Sequence, residues 1–104
     1  MAYRIIYHSK AEAELDKLYA DIALEAGTRI AGDFVDGVLA FIESLNTFPE
    51  RGTVRDGNIP GLRIIGYRRS VSVAFVVQGE EVTVLGVFAR GRDVTDDLLS
   101  ERDH

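Results

Sequence analysis

The chain has 104 residues, 46% of them hydrophobic and 28% charged, with a formal net charge of −5. That suits one domain over residues 1–104 with one modest core, and it excludes general disorder apart from the last few residues. With no cysteine there is no disulfide, no thiol nucleophile and no cysteine-based metal site, and no apolar run is long enough for a signal peptide or a membrane span.

Tyr3-Arg4-Ile5-Ile6-Tyr7-His8 is short, aromatic and β-branched, the composition of a strand. Ser9-Lys10-Ala11-Glu12 fits a capping box, in which the Ser9 hydroxyl and Glu12 carboxylate bond free amides at a helix start. Leu15, Leu18, Tyr19, Ile22 and Ala26 follow at spacings of three and four, which predicts a helix over about 10–26 with one apolar face. Gly27 suits the left-handed residue beyond its end. Thr28 can cap a second helix at once, with Ile30, Phe34, Val38, Phe41, Ile42 and Leu45 as its buried stripe and Pro49 just past its end. So short a link predicts an antiparallel helical hairpin. Gly32 and Gly37 each cost that helix about 1 kcal/mol relative to alanine; they either admit close packing or reflect neutral drift.

Glu50 to Gly61 has three glycines, a proline and no periodicity, the pattern of a loop. Leu62–Arg68 is the next strand, and Val71, Val73, Phe75 and Val77 alternate as in a half-buried strand. Gln78-Gly79-Glu80 is a tight turn. In the last strand Val82, Val84, Gly86 and Phe88 are expected on one face, with Leu85 and Val87 on the other. The tail from about residue 95 is expected as a short helix or a flexible, polar end. The predicted fold class is therefore α+β: an N-terminal strand, an antiparallel helical hairpin and a three-stranded antiparallel meander, with the helices packed on one face of the sheet.

Few residues suggest catalysis. His8 has no obvious carboxylate or nucleophile near it in sequence, and His104 is terminal. Glu12, Glu14, Asp16, Asp21 and Glu25 mostly lie off the apolar stripe, where a solvated face is expected. No HExxH, Walker-type or GxSxG pattern occurs, so neither a metal nor an organic cofactor is implied. Charge is unevenly distributed. Residues 51–92 carry seven basic side chains against three acidic, whereas 9–50 and 93–104 are strongly acidic. The basic set is Arg51, Arg55, Arg63, Arg68, Arg69, Arg90 and Arg92. Such arginines either serve solubility and edge protection or supply planar forks for carboxylate or phosphate. Two partners fit the second case: an acidic peptide, or RNA whose cleavage they assist.

The ordered set of segments resembles the ParE/RelE superfamily of toxins from bacterial type II toxin–antitoxin pairs. The resemblance spans nearly the whole chain. It rests on the N-terminal strand and the hairpin entered after Ser9-Lys10-Ala11, then on Leu45-x-x-Phe48-Pro49-Glu50-Arg51-Gly52 and Gly61-Leu62-Arg63. The two valine-rich strands and the closing Arg92-Asp93 complete it. It implies a cytoplasmic toxin that forms a hetero-oligomer with its antitoxin. RelE-like members cut mRNA on the ribosome with several Lys and Arg residues, whereas ParE-like members are not nucleases and are associated with inhibition of DNA gyrase.

This chain is closer to the ParE side. Its only lysines are Lys10 and Lys17, and Ala89 stands where many relatives have a histidine before the closing Arg-Asp pair. Cleavage at neutral pH wants a general base and a proton donor, and near the expected basic face only Tyr67 and the arginines are available for that task. The implied partners are a ParD-like antitoxin with an acidic C-terminal segment and DNA gyrase, with no membrane. Direct nucleic-acid binding is disfavoured except through the antitoxin, because phosphate binding relies on accumulated basic charge. The expected antitoxin contacts are Leu15, Leu18, Tyr19, Arg63 and Arg90, and the expected target contacts are Arg90, Arg92 and Val94. Two alternatives stand beside this. One is a ribosome-dependent endoribonuclease using Arg63, Arg69, Arg90 and Tyr67. The other is a non-toxic regulatory member.

Overall fold

A computed structural model describes residues 2–55, 57–89, 92 and 94–102. In chain order the elements are β1 (Arg4–Tyr7), α1 (Ser9–Ala26), α2 (Thr28–Glu43), a 3₁₀ turn (Ser44–Asn46), β2 (Thr53–Val54), β3 (Arg63–Tyr67), β4 (Val71–Gln78), β5 (Glu81–Ala89) and α3 (Asp96–Ser100). The strands form one mixed sheet in the order β1-β5-β4-β3-β2. β1 runs parallel to β5 and the remaining pairs are antiparallel. This is the expected α+β arrangement with one addition: β2, a two-residue edge strand inside the segment read as loop. Its pairing of Thr53 with Ile64 and Val54 with Arg63 is too short to leave a periodic signal. No helix among the described residues is long and apolar enough to cross a membrane.

The hairpin covers one face of the sheet. Ala11 and Leu15 of α1, Val38 and Ile42 of α2, and Leu45 meet Val71, Val73, Phe75, Val82, Val84 and Val87 there. The opposite face has its own smaller core, in which Ile59, Leu62 and Leu99 lie on Ala74, Val76, Leu85 and Phe88. β4 and β5 are therefore buried on both faces, and β4, expected to be half-buried, also buries Ala74 and Val76 against the smaller core.

Local details differ from expectation in four places. The α1 N-cap is His8, not Ser9: its Nδ1 accepts from the Lys10 amide at 3.1 Å, and Ser9 is already helical. Gly27, at φ 94°, both ends α1 and begins α2 without a side-chain cap, so Thr28 is the first helical residue and no cap. Ile30 is 55% exposed at the hairpin tip, while Ala31 takes its place in the core. Finally, a bulge shifts the β4–β5 register between Ala74–Gly86 and Phe75–Val84. The extra residue reverses the alternation, so Val82, Val84 and Val87 face the hairpin while Leu85 and Phe88 face α3.

Candidate functional site

The bulged half of β5 presents a problem that the fold solves with charge. β1 ends opposite Val84, where the His8 amide makes the last bond, to the Val84 carbonyl. Beyond that point β5 has a strand partner only on its β4 side, and buried backbone groups left unbonded are costly. Two side chains complete the edge. Glu14 Oε1 accepts from the Val87 amide at 3.1 Å, and Arg102 Nη1 donates to the Leu85 carbonyl at 3.1 Å. The two side chains also bond each other at 2.8 Å and are 14% and 5% exposed. Arg102 lies over the Phe88 ring, 5.4 Å from its centroid. Gly86 is required here, because a Cβ would strike that ring and come within 2.8 Å of Arg102 Nη1. Arg102 Nε is buried without a hydrogen-bond partner.

Two strands across the sheet, arginines and aromatic rings form a second constellation. Tyr67 closes β3 and packs against Phe34 and Phe41 of α2, with ring centroids 6.0 and 5.1 Å away. Its hydroxyl points into α2 at Gly37, where a Cβ would lie 2.5 Å from the oxygen. Gly37 is therefore a packing residue, whereas nothing lies near a Cβ built on Gly32. The Arg51 guanidinium sits 5.3 Å from the Phe41 centroid and donates to Ser44 Oγ at 2.9 Å. Arg68 sits 5.3 Å from the Tyr67 centroid. Two cations thus flank a run of edge-on and tilted rings, a favourable arrangement for the ring faces.

The turn beyond Tyr67 is unusual. Arg68 and Arg69 both have positive φ, 50° and 57°, and the Ser70 amide closes the turn on the Tyr67 carbonyl at 3.0 Å. Such turns match strand twist but favour Asn and Gly at both central positions. A side chain with a Cβ costs about 1–2 kcal/mol at each. Both arginines are exposed, and among the described residues neither guanidinium has a hydrogen bond or ion pair.

The remaining arginines are placed apart. Arg63 is half-buried opposite Phe75, on the hairpin face of β3 with Ile65 and Tyr67. Arg55 crosses toward the other face and donates to the Val94 carbonyl, with Val94 half-buried against the smaller core. Arg92 is exposed, 5.7 Å from the Phe88 centroid. Arg90, Asp93 and His104 lie outside the described residues. The structure thus gathers Arg51 and Arg68 about the Tyr67 cluster, with Arg69 beside them and Arg63 on the same strand face. Arg55, Arg92 and Arg102 belong elsewhere.

The hairpin carries a groove of about 300 Å³ lined by Tyr7, Glu12, Leu15, Asp16, Tyr19, Val35 and Leu39. Leu15 is its buried floor and Tyr19, 38% exposed, its wall. Leu18 faces a different hollow, shared with Glu14, Lys17, Asp21, Val87, Ala89 and Arg92. Tyr7 donates to Glu43 Oε2 at 2.8 Å. Burial, and then the bonded Glu43 carboxylate, push the Tyr7 phenol well above its ordinary pKa, so it remains a neutral donor. Glu14 and Arg102, expected on a solvated face and in a polar tail, are the pair that sequence reasoning missed. The one available signal was Arg102 itself, the single cation among five acidic residues from 93 to 104.

Comparison with known proteins concerns the family and the fold. The family described as "ParE toxin of type II toxin-antitoxin system, parDE" matches residues 5–94. No curated protein matches the chain. Among solved structures, a chain of the chromosomal ParDE toxin–antitoxin system from P. aeruginosa is similar with a TM-score of 0.74 and 24% identity, covering 86% of this chain and 97% of that one. A RelBE toxin–antitoxin complex from Mycobacterium tuberculosis gives 0.64 and 19%, covering 86% and 100%. A free arginine-to-alanine mutant of the E. coli toxin RelE gives 0.64 and 17%, covering 98% and 95%. At these identities the likeness is one of fold.

Proposed function

Because the chain belongs to the ParE toxin family of type II toxin–antitoxin systems, we propose that it acts in the bacterial cytoplasm by inhibiting DNA gyrase and is silenced by a cognate ParD-like antitoxin. The observation that carries this reading is the direction of the Tyr67 hydroxyl. An endoribonuclease built on Arg63, Arg69 and Arg90 would need a proton donor or base beside them. Tyr67 is the candidate, and its oxygen is turned into α2 against Gly37. His8 is engaged as the α1 cap. What remains is a surface that binds charge without moving protons, which suits inhibition by contact.

The antitoxin engages the hairpin. Apolar residues of its C-terminal segment enter the groove over Leu15 beside Tyr19, while Leu18 borders the contact from the next hollow. Its acidic residues reach Arg63 and Arg90. The Glu12 and Asp16 rim of the groove favours a cation next to those apolar residues, since unmatched carboxylates repel an acidic peptide. The target is contacted by Arg90, Arg92 and the segment at Val94. Expression of the chain without antitoxin tests the assignment: a DNA-damage response with continued protein synthesis is expected, and an immediate stop in translation with cut transcripts contradicts it.

A further inference from the structure

We propose that the Arg68–Arg69 turn is a preformed docking point for carboxylates on the toxin's protein target, distinct from the hairpin groove assigned to the antitoxin. This rests on the reading that the target is a protein. Two consecutive arginines hold left-handed backbone where Asn-Gly would fit without strain. An observed strain of this kind points to a role for the side chains themselves. The turn is also rigidly mounted. Tyr67 is wedged between Phe34, Phe41 and Gly37, and Arg68 lies over its ring. The Arg68 guanidinium is thus held over the ring, and exposed Arg69 follows it on the same fixed base, which lowers the ordering cost of binding.

Charge identifies the ligand. Most other described arginines are already engaged: Arg4 with Glu81, Arg51 with Ser44, Arg55 with Val94 and Arg102 with Glu14. Arg68 and Arg69 retain their full donor forks. Nucleic-acid affinity grows with the number of phosphates neutralised, and two cations on a chain of net charge −5 neutralise few. A pair of bidentate arginine–carboxylate contacts within a protein interface needs no longer track. The position separates the two partners as well. Phe34, Gly37 and Phe41 of α2 face Tyr67, the base of the turn, whereas Val35 and Leu39 line the groove on the helix's other flank.

The test replaces the pair by the residues the backbone prefers, R68N with R69G. This variant should be at least as resistant to urea as the wild type, which removes misfolding as an explanation. Its growth arrest on induction without antitoxin should be weakened, with about tenfold more protein needed for equal inhibition of purified gyrase holoenzyme. Undiminished arrest by the variant overturns the proposal, and so does a wild type that leaves growth unaffected. Binding of a labelled single-stranded RNA by the wild type, lost in the variant, overturns it in favour of phosphate. If the wild type arrests growth without inhibiting gyrase, the gyrase reading fails alone, and loss of arrest in the variant still supports this one.

Discussion

Replacing Glu14 by Gln isolates the charge that seals the β5 edge. The amide keeps an acceptor for the Val87 N–H but leaves Arg102 without a countercharge at 5% exposure. Breaking one side of a buried ion pair costs about 3–5 kcal/mol. For a chain near this size each kcal/mol moves Tm by about 4–8 °C, so E14Q should lower Tm by roughly 12 °C or more. R102M removes the bond to the Leu85 carbonyl as well and should cost at least as much. The double variant E14Q/R102M strands neither charge. Its cost should fall short of the two single costs combined by about 2 kcal/mol, the signature of direct coupling. Urea unfolding with a shared m-value measures all four proteins. The exposed Lys17–Asp21 pair, with side chains 72% and 58% exposed, is the internal control, and K17M should cost only about 0.3–0.5 kcal/mol. An E14Q cost as small as that of K17M, or additive single costs, would refute the claim that this pair closes the sheet edge.

The two helix glycines should respond in opposite directions. G32A meets no neighbour and should stabilise the chain by up to about 1 kcal/mol, whereas G37A must displace the Tyr67 hydroxyl and should destabilise it, both read from urea midpoints. Alkaline pH provides another check. The Tyr7 pKa is raised in the folded state, so its contribution is fully present below the ordinary phenol value of about 10 and is lost as pH rises above it. Y7F should flatten the alkaline fall in stability, and an unchanged fall would assign it to other groups.

Period and punctuation made the meander and hairpin legible. The alternation of Val71, Val73, Phe75 and Val77 and the three- and four-residue spacing through Leu15 and Leu18 each record a buried face directly. Three kinds of feature left no such record. The two residues of β2 are too few to show a period. The Leu85–Gly86 bulge reverses inside and outside in mid-strand, so Phe88 faces α3 although strict alternation groups it with Val84. Long-range charge pairs have no local pattern: Glu14 and Arg102 are joined only because β1 ends early and leaves β5 half paired. The arginine set shows the same limit. Proximity in sequence grouped Arg51, Arg55, Arg68 and Arg92, but strand direction sends Arg55 toward α3 while Arg51 and Arg68 share the Phe34–Phe41–Tyr67 cluster. Nor could composition reveal that Arg68 and Arg69 hold left-handed backbone, since that depends on how β3 and β4 meet.

The proposed inhibition acts by contact with a protein, without cutting RNA. Its most direct test is a gyrase supercoiling assay with the purified chain, run beside a purified translating system carrying a defined mRNA. Dose-dependent loss of supercoiling with intact transcripts is the predicted result. Unimpaired supercoiling together with severed transcripts would contradict it.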